Sequence, residues 1–293
     1  MTLPQISWLY IDRISKIMVS RWIAYPIIIS LIFSGTAKAE AQKSLLDPTS
    51  FDLSTTANEA TLHLFNNEEF PVEWSAKPFK WNQTISGKDD LADTSVISTE
   101  PKSVQLAPHT GQEIQIKYQG DAVSDVEKTF RIVLTSNPIT QSGIAVSYTH
   151  SLPIFVTSPK FAAKLDLNLS ATNAEGQLVL KLLNSGTAHD FAQEISITGR
   201  DAHGERVFAI DRSGWYLLSD SSVAYRAYVS AADCKKSTRF YALVKFRSGH
   251  EEQTTLSSTL ACSPDPTVQT SFEREKGTAV VPVPASTSER EFQ

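Results

Sequence analysis

Residues 143–156 read Gly-Ile-Ala-Val-Ser-Tyr-Thr-His-Ser-Leu-Pro-Ile-Phe-Val. The even positions are Ile144, Val146, Tyr148, His150, Leu152, Ile154 and Val156, and the odd positions up to Ser151 are Ala145, Ser147, Thr149 and Ser151. Successive side chains on a strand point to opposite faces. One face of this segment is therefore bulky and largely apolar, and the other is small or polar. The segment therefore predicts a long β-strand. An apolar row of that length needs cover. Either it packs inward as an ordinary half-buried core strand, or it joins another protein's sheet, with backbone hydrogen bonds and alternate side chains filling pockets. The pattern alone leaves both readings open.

The same period recurs outward in both directions. Glu113-Ile114-Gln115-Ile116-Lys117-Tyr118 alternates strictly, and residues 61–65, 72–76, 79–81 and 130–134 are further strand-like runs. Asn66-Asn67-Glu68-Glu69, Pro101, Pro108-His109-Thr110-Gly111 and Asn137-Pro138 punctuate them with turn chemistry. Downstream, residues 165–169, 177–182, 195–199, 206–210, 225–229, 240–246 and 254–260 repeat the style, with a turn at Asn184-Ser185-Gly186-Thr187. No stretch of useful length has helical period. Many short strands with regular turns predict an all-β protein of sandwich type. With 293 residues, the chain has room for two such domains. The reading is 40–156 for the first, 157–162 as a linker carrying Pro159, 163–265 for the second, and a disordered, Pro-, Ser- and charge-rich tail over 266–293.

The N-terminus reads as an export signal. Arg13, Lys16 and Arg21 form a basic region, residues 22–33 are apolar, and Ala37 and Ala39 are the small residues a signal peptidase accepts. Cleavage is expected after Ala39, with Met18 as an alternative start. The apolar run is shorter than the roughly 20 residues a membrane span needs and contains Pro26. No stable membrane insertion is expected after cleavage.

Residues 1–39 carry four Lys/Arg and one Asp, so the formal charge of −5 becomes about −8 without them. That sign disfavours phosphate backbones, and no nucleic-acid partner is expected. Cys234 and Cys262 both lie in the exported part, where an oxidising compartment favours a disulfide; two unpaired thiols are the alternative. Neither has a His or Cys at ligand spacing, so no metal is expected. The six histidines are scattered, and His189-Asp190 is adjacent in sequence, which on a strand sends the two side chains opposite ways. There is no zinc-protease motif, phosphate loop or nucleophile elbow. No catalytic residue, no cofactor and no enzymatic activity are expected. Trp74, Trp81 and Trp215 read as core or cleft packing.

Several segments together resemble a known family. They are Phe79-Lys80-Trp81-Asn82-Gln83 with Asp89-Asp90-Leu91, residues 96–116 with their Pro-His-Thr-Gly loop, Thr129-Phe130-Arg131-Ile132-Val133-Leu134, and Ser151-Leu152-Pro153-Ile154-Phe155-Val156. They resemble the periplasmic chaperones of chaperone–usher pili, above all the archaic branch that serves spore-coat-U-like subunits. The resemblance covers about residues 45–160, and the second domain only in style. It implies two immunoglobulin-like sandwiches in a boomerang arrangement. It also implies a periplasmic protein that lends a strand to pilus or spore-coat-like subunits and passes them to an outer-membrane usher. By position, Ile144, Val146 and Tyr148 would be the donor residues. The family also grips the subunit's terminal carboxylate with basic residues in the cleft. Arg131 is the candidate here, with His150 as a second if it is protonated. Two departures stand out: residues 51–53 lack an arginine, and Pro153 stands where a lysine is usual. The rival reading is a secreted structural or adhesive pair of sandwiches with the 144–156 strand simply buried.

Overall fold

The computed structural model describes residues 45–84, 88–123, 125–138, 147–172, 174–256 and 260–274. The chain is all-β, built as two immunoglobulin-like sandwiches. The first contains β1 (Leu46–Asp47), β2 (Phe51–Leu53), β3 (Glu59–Phe65), β4 (Val72–Gln83), β5 (Asp89–Asp93), β6 (Ile97–Glu100), β7 (Ser103–Leu106), β8 (Gly111–Tyr118), β9 (Lys128–Pro138) and β10 (Thr149–Val156). One sheet runs β1-β3-β8-β6, and the other runs β2-β10-β9-β4-β5 with β7 also on β4. The second sandwich contains β11 (Leu165–Ala171), β12 (Gln177–Asn184), β13 (Asp190–Arg200), β14 (Arg206–Arg212), β15 (Tyr216–Leu217), β16 (Ser221–Tyr228), α1 (Ala231–Lys236), β17 (Arg239–Phe246), β18 (Glu251–Leu256) and β19 (Ser271–Arg274). Its sheets run β11-β12-β16-β19 and β14-β13-β17-β18, with β15 on β13. Among the described residues no helix is long and apolar enough to cross a membrane.

Alternation builds each core. Ile114, Ile116 and Tyr118 of β8 are buried between exposed neighbours and face Leu62, Leu64, Trp74, Ile132, Leu134 and Ile154. Leu178, Leu180 and Leu182 of β12 are the buried row of the second sandwich, clustered with Ile195, Ile197, Tyr225 and Phe240. Burial of an aliphatic or aromatic side chain stabilises by roughly 1.5–3 kcal/mol, so these two clusters are what hold the sheets face to face.

The sequence suggested two short strands over 72–76 and 79–81, but these form one twelve-residue strand, β4. Its buried side chains change face partway along. Val72, Trp74 and Ala76 enter the first core, whereas Phe79 and Trp81 are buried on the opposite face. The shift in phase reflects a second covering layer: the far end of β4 packs on the second sandwich. Strand β10 reports the same thing differently. All five residues from Leu152 to Val156 are buried, because Leu152, Ile154 and Val156 serve the first core while Phe155 faces Trp81 and Leu218. A continuous apolar run marks a strand covered on both sides.

The linker is drawn in by a buried amide. Asn184 is fully buried; its Oδ1 accepts from the Lys164 and Gly186 amides, and its Nδ2 donates to the Ala188 and Leu217 carbonyls. Gly186 is required there, since a Cβ would stand 2.3 Å from the Lys164 nitrogen.

Residues 266–293 were expected as a disordered tail. Four of them, Ser271–Arg274, instead form β19, paired antiparallel with β16 so that Tyr225 opposes Arg274 and Tyr228 opposes Ser271. Polar composition hid the strand, whose single apolar residue, Phe272, packs on Tyr225 with ring centroids 5.7 Å apart. The Arg212 guanidinium donates to the Phe272 carbonyl at 3.1 Å. Residues 275–293 and the expected signal at 1–39 lie outside the described residues.

Cys234 and Cys262 are disulfide-bonded across 28 residues, so the pairing expectation holds and the unpaired alternative does not. The bond ties α1, capped by Ser230, to the segment that leads to β19. Closing a loop of this length constrains the unfolded chain by about 3 kcal/mol. A Cys234→Ala/Cys262→Ala protein is expected to lose stability of that order in urea unfolding, as is the reduced wild type.

Candidate functional site

The outer face of the β4-β5-β9-β10 sheet meets the second sandwich, and that seam holds a connected group of buried and half-buried polar side chains. Strand β9 alternates Phe130, Ile132 and Leu134 into the first core, which sends Arg131 to the seam opposite Phe79 and Pro153. A small apolar cluster of Trp81, Phe155 and Leu218 joins the two sandwiches, with Leu91 and Tyr216 packed against it. Tyr216 presents its ring edge-on to Trp81 at 5.5 Å.

Asp89 is the hub. Its Oδ1 accepts from Trp81 Nε1 at 3.1 Å and Gln83 Nε2 at 3.0 Å, and its Oδ2 accepts from Trp215 Nε1 at 3.0 Å. Arg274 of β19 approaches the same Oδ2 to 3.8 Å and lies over Trp215, 4.6 Å from the ring centre. Gln83 completes the bridge: its Nε2 also donates to the Tyr216 carbonyl, and its Oε1 accepts from the Leu218 amide and the Ser221 hydroxyl. The carboxylate therefore joins β5 to both the loop before β15 and the last described strand.

Arg131 is 5% exposed, with its guanidinium stacked 3.7 Å over the centre of Trp81. Nη1 donates to the Ser151 carbonyl at 3.1 Å. Nη2 is buried, and among the described residues no acceptor reaches it. Burial pulls the Arg131 guanidinium below the ordinary arginine value, while the neighbouring Asp89 charge works against that shift. Arginine nevertheless keeps its charge in proteins. A cation with one unused N–H edge in a poorly hydrated seam is suited to a carboxylate, which accepts charge-assisted hydrogen bonds.

A second contact crosses the same seam. Glu127 is buried, and its Oε2 lies 2.7 Å from His189 Nδ1 and accepts from the His189 amide at 3.0 Å. The His189 ring stacks on Phe155 with centroids 3.4 Å apart. Its sequence neighbour Asp190 turns the other way and accepts from the Ser248 hydroxyl at 2.6 Å. Adjacency did not make a dyad, as strand geometry required.

The two basic candidates are not brought together. His150 opposes Leu134 in the β9–β10 register, whereas Arg131 opposes Pro153, so the side chains leave opposite faces of the sheet. His150 instead approaches Trp74, with ring centroids 5.9 Å apart. Burial lowers its pKa below the usual 6.5, so near neutrality it is uncharged and does not supplement Arg131. The sign of the pH effect follows. The unfolded chain binds this proton more readily than the folded one, so the stability is complete above about pH 6.5 and declines as pH falls from there toward the folded value. Urea midpoints at pH 7.5 and 5.0 are expected to differ more for the wild type than for His150→Phe.

Of the proposed donor residues, Ile144 and Val146 lie outside the described residues. Tyr148 continues the β10 row beyond the core and is 46% exposed. Its amide donates to Ser136 Oγ at 2.8 Å, and its carbonyl accepts from the Ser136 amide at 2.9 Å. Sequence reading singled out Arg131 but gave no role to Asp89, Gln83, Arg274 or Glu127. The usable signal was the phase change within β4, which announces an outer face that something must cover.

Fold and seam together define an all-β protein of two immunoglobulin-like sandwiches clamped across a buried arginine–tryptophan–aspartate cluster. No family model and no curated protein matches the chain. Solved structures similar to it are pilus chaperones. A chain of the CsuC–CsuE chaperone–tip adhesion subunit complex from the archaic Csu pili of Acinetobacter baumannii has 16% identity and a TM-score of 0.49, covering 73% of this chain and 98% of that one. The E. coli chaperone DraB has 15% identity and a TM-score of 0.46, covering 73% and 97%. The Salmonella enterica SafA pilin–SafB chaperone complex has 13% identity and a TM-score of 0.46, covering 74% and 99%. At such identities and scores, function has to be argued from the residues themselves.

Proposed function

We propose that this chain is a periplasmic chaperone for pilus or spore-coat-like subunits. In this reading it lends the strand that includes Ile144, Val146 and Tyr148 to a subunit sheet lacking one, and then passes the subunit to an outer-membrane usher. The observation that carries the proposal is the β10 row. Its inner half, Leu152, Ile154 and Val156, is core, and the row continues on the same face to a Tyr148 that is 46% exposed. A strand anchored at one end in its own core, with Tyr148 left exposed at the other, is suited to strand addition, where a partner's groove desolvates the remainder. Arg131 supports a second contact, to the subunit's terminal carboxylate, which has to open the seam to reach the buried Nη2.

The test is co-expression in a periplasm with a spore-coat-U-like subunit. Wild-type protein is expected to co-purify with the subunit at one to one. A folded variant with Ile144, Val146 and Tyr148 all changed to Asp is expected to lose it. Equal capture by both would abolish the strand-donation reading and leave a structural sandwich pair.

A further inference from the structure

Three arginines form a row across neighbouring strands of the second sandwich. Arg200 of β13 is paired with Arg206 of β14 on one side and with Arg239 of β17 on the other. At a strand spacing of about 4.8 Å the row spans about 10 Å. Regular pairing would not produce it. Gly199 opposes Phe208, so the next pair in register would be Arg200 and Val207, but a shift between Gly199 and Arg200 brings Arg206 opposite instead. Irregularities of this kind re-aim side chains. Arg200 is preorganised: its Nη1 donates to the Gly204 carbonyl at 2.7 Å, and its guanidinium lies over Tyr241, 5.7 Å from the ring centre. Arg206 and Arg239 are exposed. Lys235 and Lys236, also exposed, end α1 just before β17, and the Thr238 amide donates to the Arg200 carbonyl at 2.8 Å, which holds that segment beside the row.

The carboxylates close by in sequence are Asp201, Glu205 and Asp233, and two of them are engaged elsewhere. Asp201 Oδ1 accepts from the His203 and Glu205 amides, each at 2.9 Å, and Asp233 Oδ2 accepts from the Ser230 and Thr270 hydroxyls. Among the described residues none of the five cations is in an ion pair. Like charges directly opposite each other on neighbouring strands are destabilising. A charge on an edge strand guards against unwanted pairing, which accounts for Arg206. Arg200 and Arg239 stand on the inner strands β13 and β17, where no edge needs guarding.

We propose that this row is a docking surface for an acidic segment of a partner protein, whose carboxylates supply the counter-charge that the fold itself does not. A guanidinium fork matches a carboxylate bidentately. An extended segment sets alternate side chains about 7 Å apart, so acidic residues two apart in sequence cover the row. A lipid surface fits less well. Among the described residues the exposed large apolar side chains, Phe70, Val126, Tyr148 and Leu183, all lie on other elements, so nothing beside the row would insert. The inference rests on register, exposure and charge, and it stands with or without the chaperone reading.

The test uses the full exported chain and a fluorescein-labelled octaglutamate peptide, followed by fluorescence anisotropy. Saturable binding is expected, weakened about tenfold by Arg206→Gln/Arg239→Gln, which removes two charge-assisted contacts. Lys102→Gln/Lys181→Gln removes the same charge from exposed positions elsewhere and is expected to weaken binding less than about twofold. The urea midpoint of the arginine variant is expected to equal or exceed that of the wild type, because a like-charge contact is relieved. Sedimentation with vesicles of phosphatidylglycerol and phosphatidylcholine is the second arm. Vesicle binding that needs the arginines, without peptide binding, overturns the proposal in favour of a lipid surface. Equal weakening by the two double variants, or no peptide binding at all, overturns it and leaves the row as solvated surface charge.

Discussion

An Asp89→Ala protein is expected to lose about 3–5 kcal/mol of stability, the range found when one partner is removed from a buried charged network. The loss has identifiable sources. Trp81 Nε1, Gln83 Nε2 and Trp215 Nε1 all donate to this carboxylate; the two indole N–H groups would lose this acceptor in a site that is mostly closed to water, and Gln83 Nε2 would keep only the Tyr216 carbonyl. Arg274 loses its counter-charge, and Arg131 loses the opposing field of a neighbour that offsets its burial. Asp89→Asn is expected to fall between the two, since it keeps acceptor capacity at one oxygen but not the charge. Urea unfolding of the three proteins measures this. A loss below about 1 kcal/mol for Asp89→Ala, the range of an exposed ion pair, would mean that the apolar cluster of Trp81, Phe155 and Leu218 alone holds the seam.

Arg131→Met is expected to behave in the opposite way, with little change in stability and a large loss of partner binding. A buried charge replaced by an apolar side chain of similar volume often leaves stability unchanged or raised, because the desolvation penalty goes with it. Methionine can still cover Trp81, which the guanidinium overlies at 3.7 Å. What it cannot do is offer a donor to a carboxylate. Truncating a buried, hydrogen-bonded charge pair costs about 2–5 kcal/mol of binding, so subunit affinity should fall by about 30-fold or more. Amidating the subunit's C-terminus should produce a similar loss with the wild-type protein and none with Arg131→Met. A subunit that binds wild type and Arg131→Met alike would assign Arg131 to the seam alone.

Much of the architecture was legible in the sequence because sandwich strands carry their burial in period two. Ile114-Gln115-Ile116-Lys117-Tyr118 needs no context to be read, and the Cys234–Cys262 bond follows from compartment and count. What the alternation could not convey was the second covering layer. Phe79 and Trp81 break phase with Trp74 and Ala76 because they lie on the opposite face, where Trp81 meets Leu218 of the second sandwich, and in sequence the break looks like the end of one strand and the start of the next. Strand β19 was lost for a different reason. Its one apolar residue is Phe272, and the rest of its contacts are polar, to Arg212 and through Arg274, so composition outweighed it.

The candidate site divides along the same line. Arg131 was singled out through the family resemblance, whereas Asp89 and Gln83 stood inside the resembling segments with no role given, and Arg274 fell in the expected tail. Arg131 and His150 were the two basic candidates for one anchor, His150 only if protonated. Register, which sequence does not state, puts them on opposite faces.

The claim at the centre of this account is that the β10 row is completed by another protein at Tyr148. A photoreactive benzoylphenylalanine in place of Tyr148, with a second placed at exposed Leu183 of β12 as control, tests it in the co-expressed complex. The account predicts a one-to-one crosslink to the subunit from position 148, mapping to the subunit's open groove, and none from position 183. A subunit that co-purifies yet crosslinks only from position 183, or from neither, would contradict strand donation and place the contact on another surface.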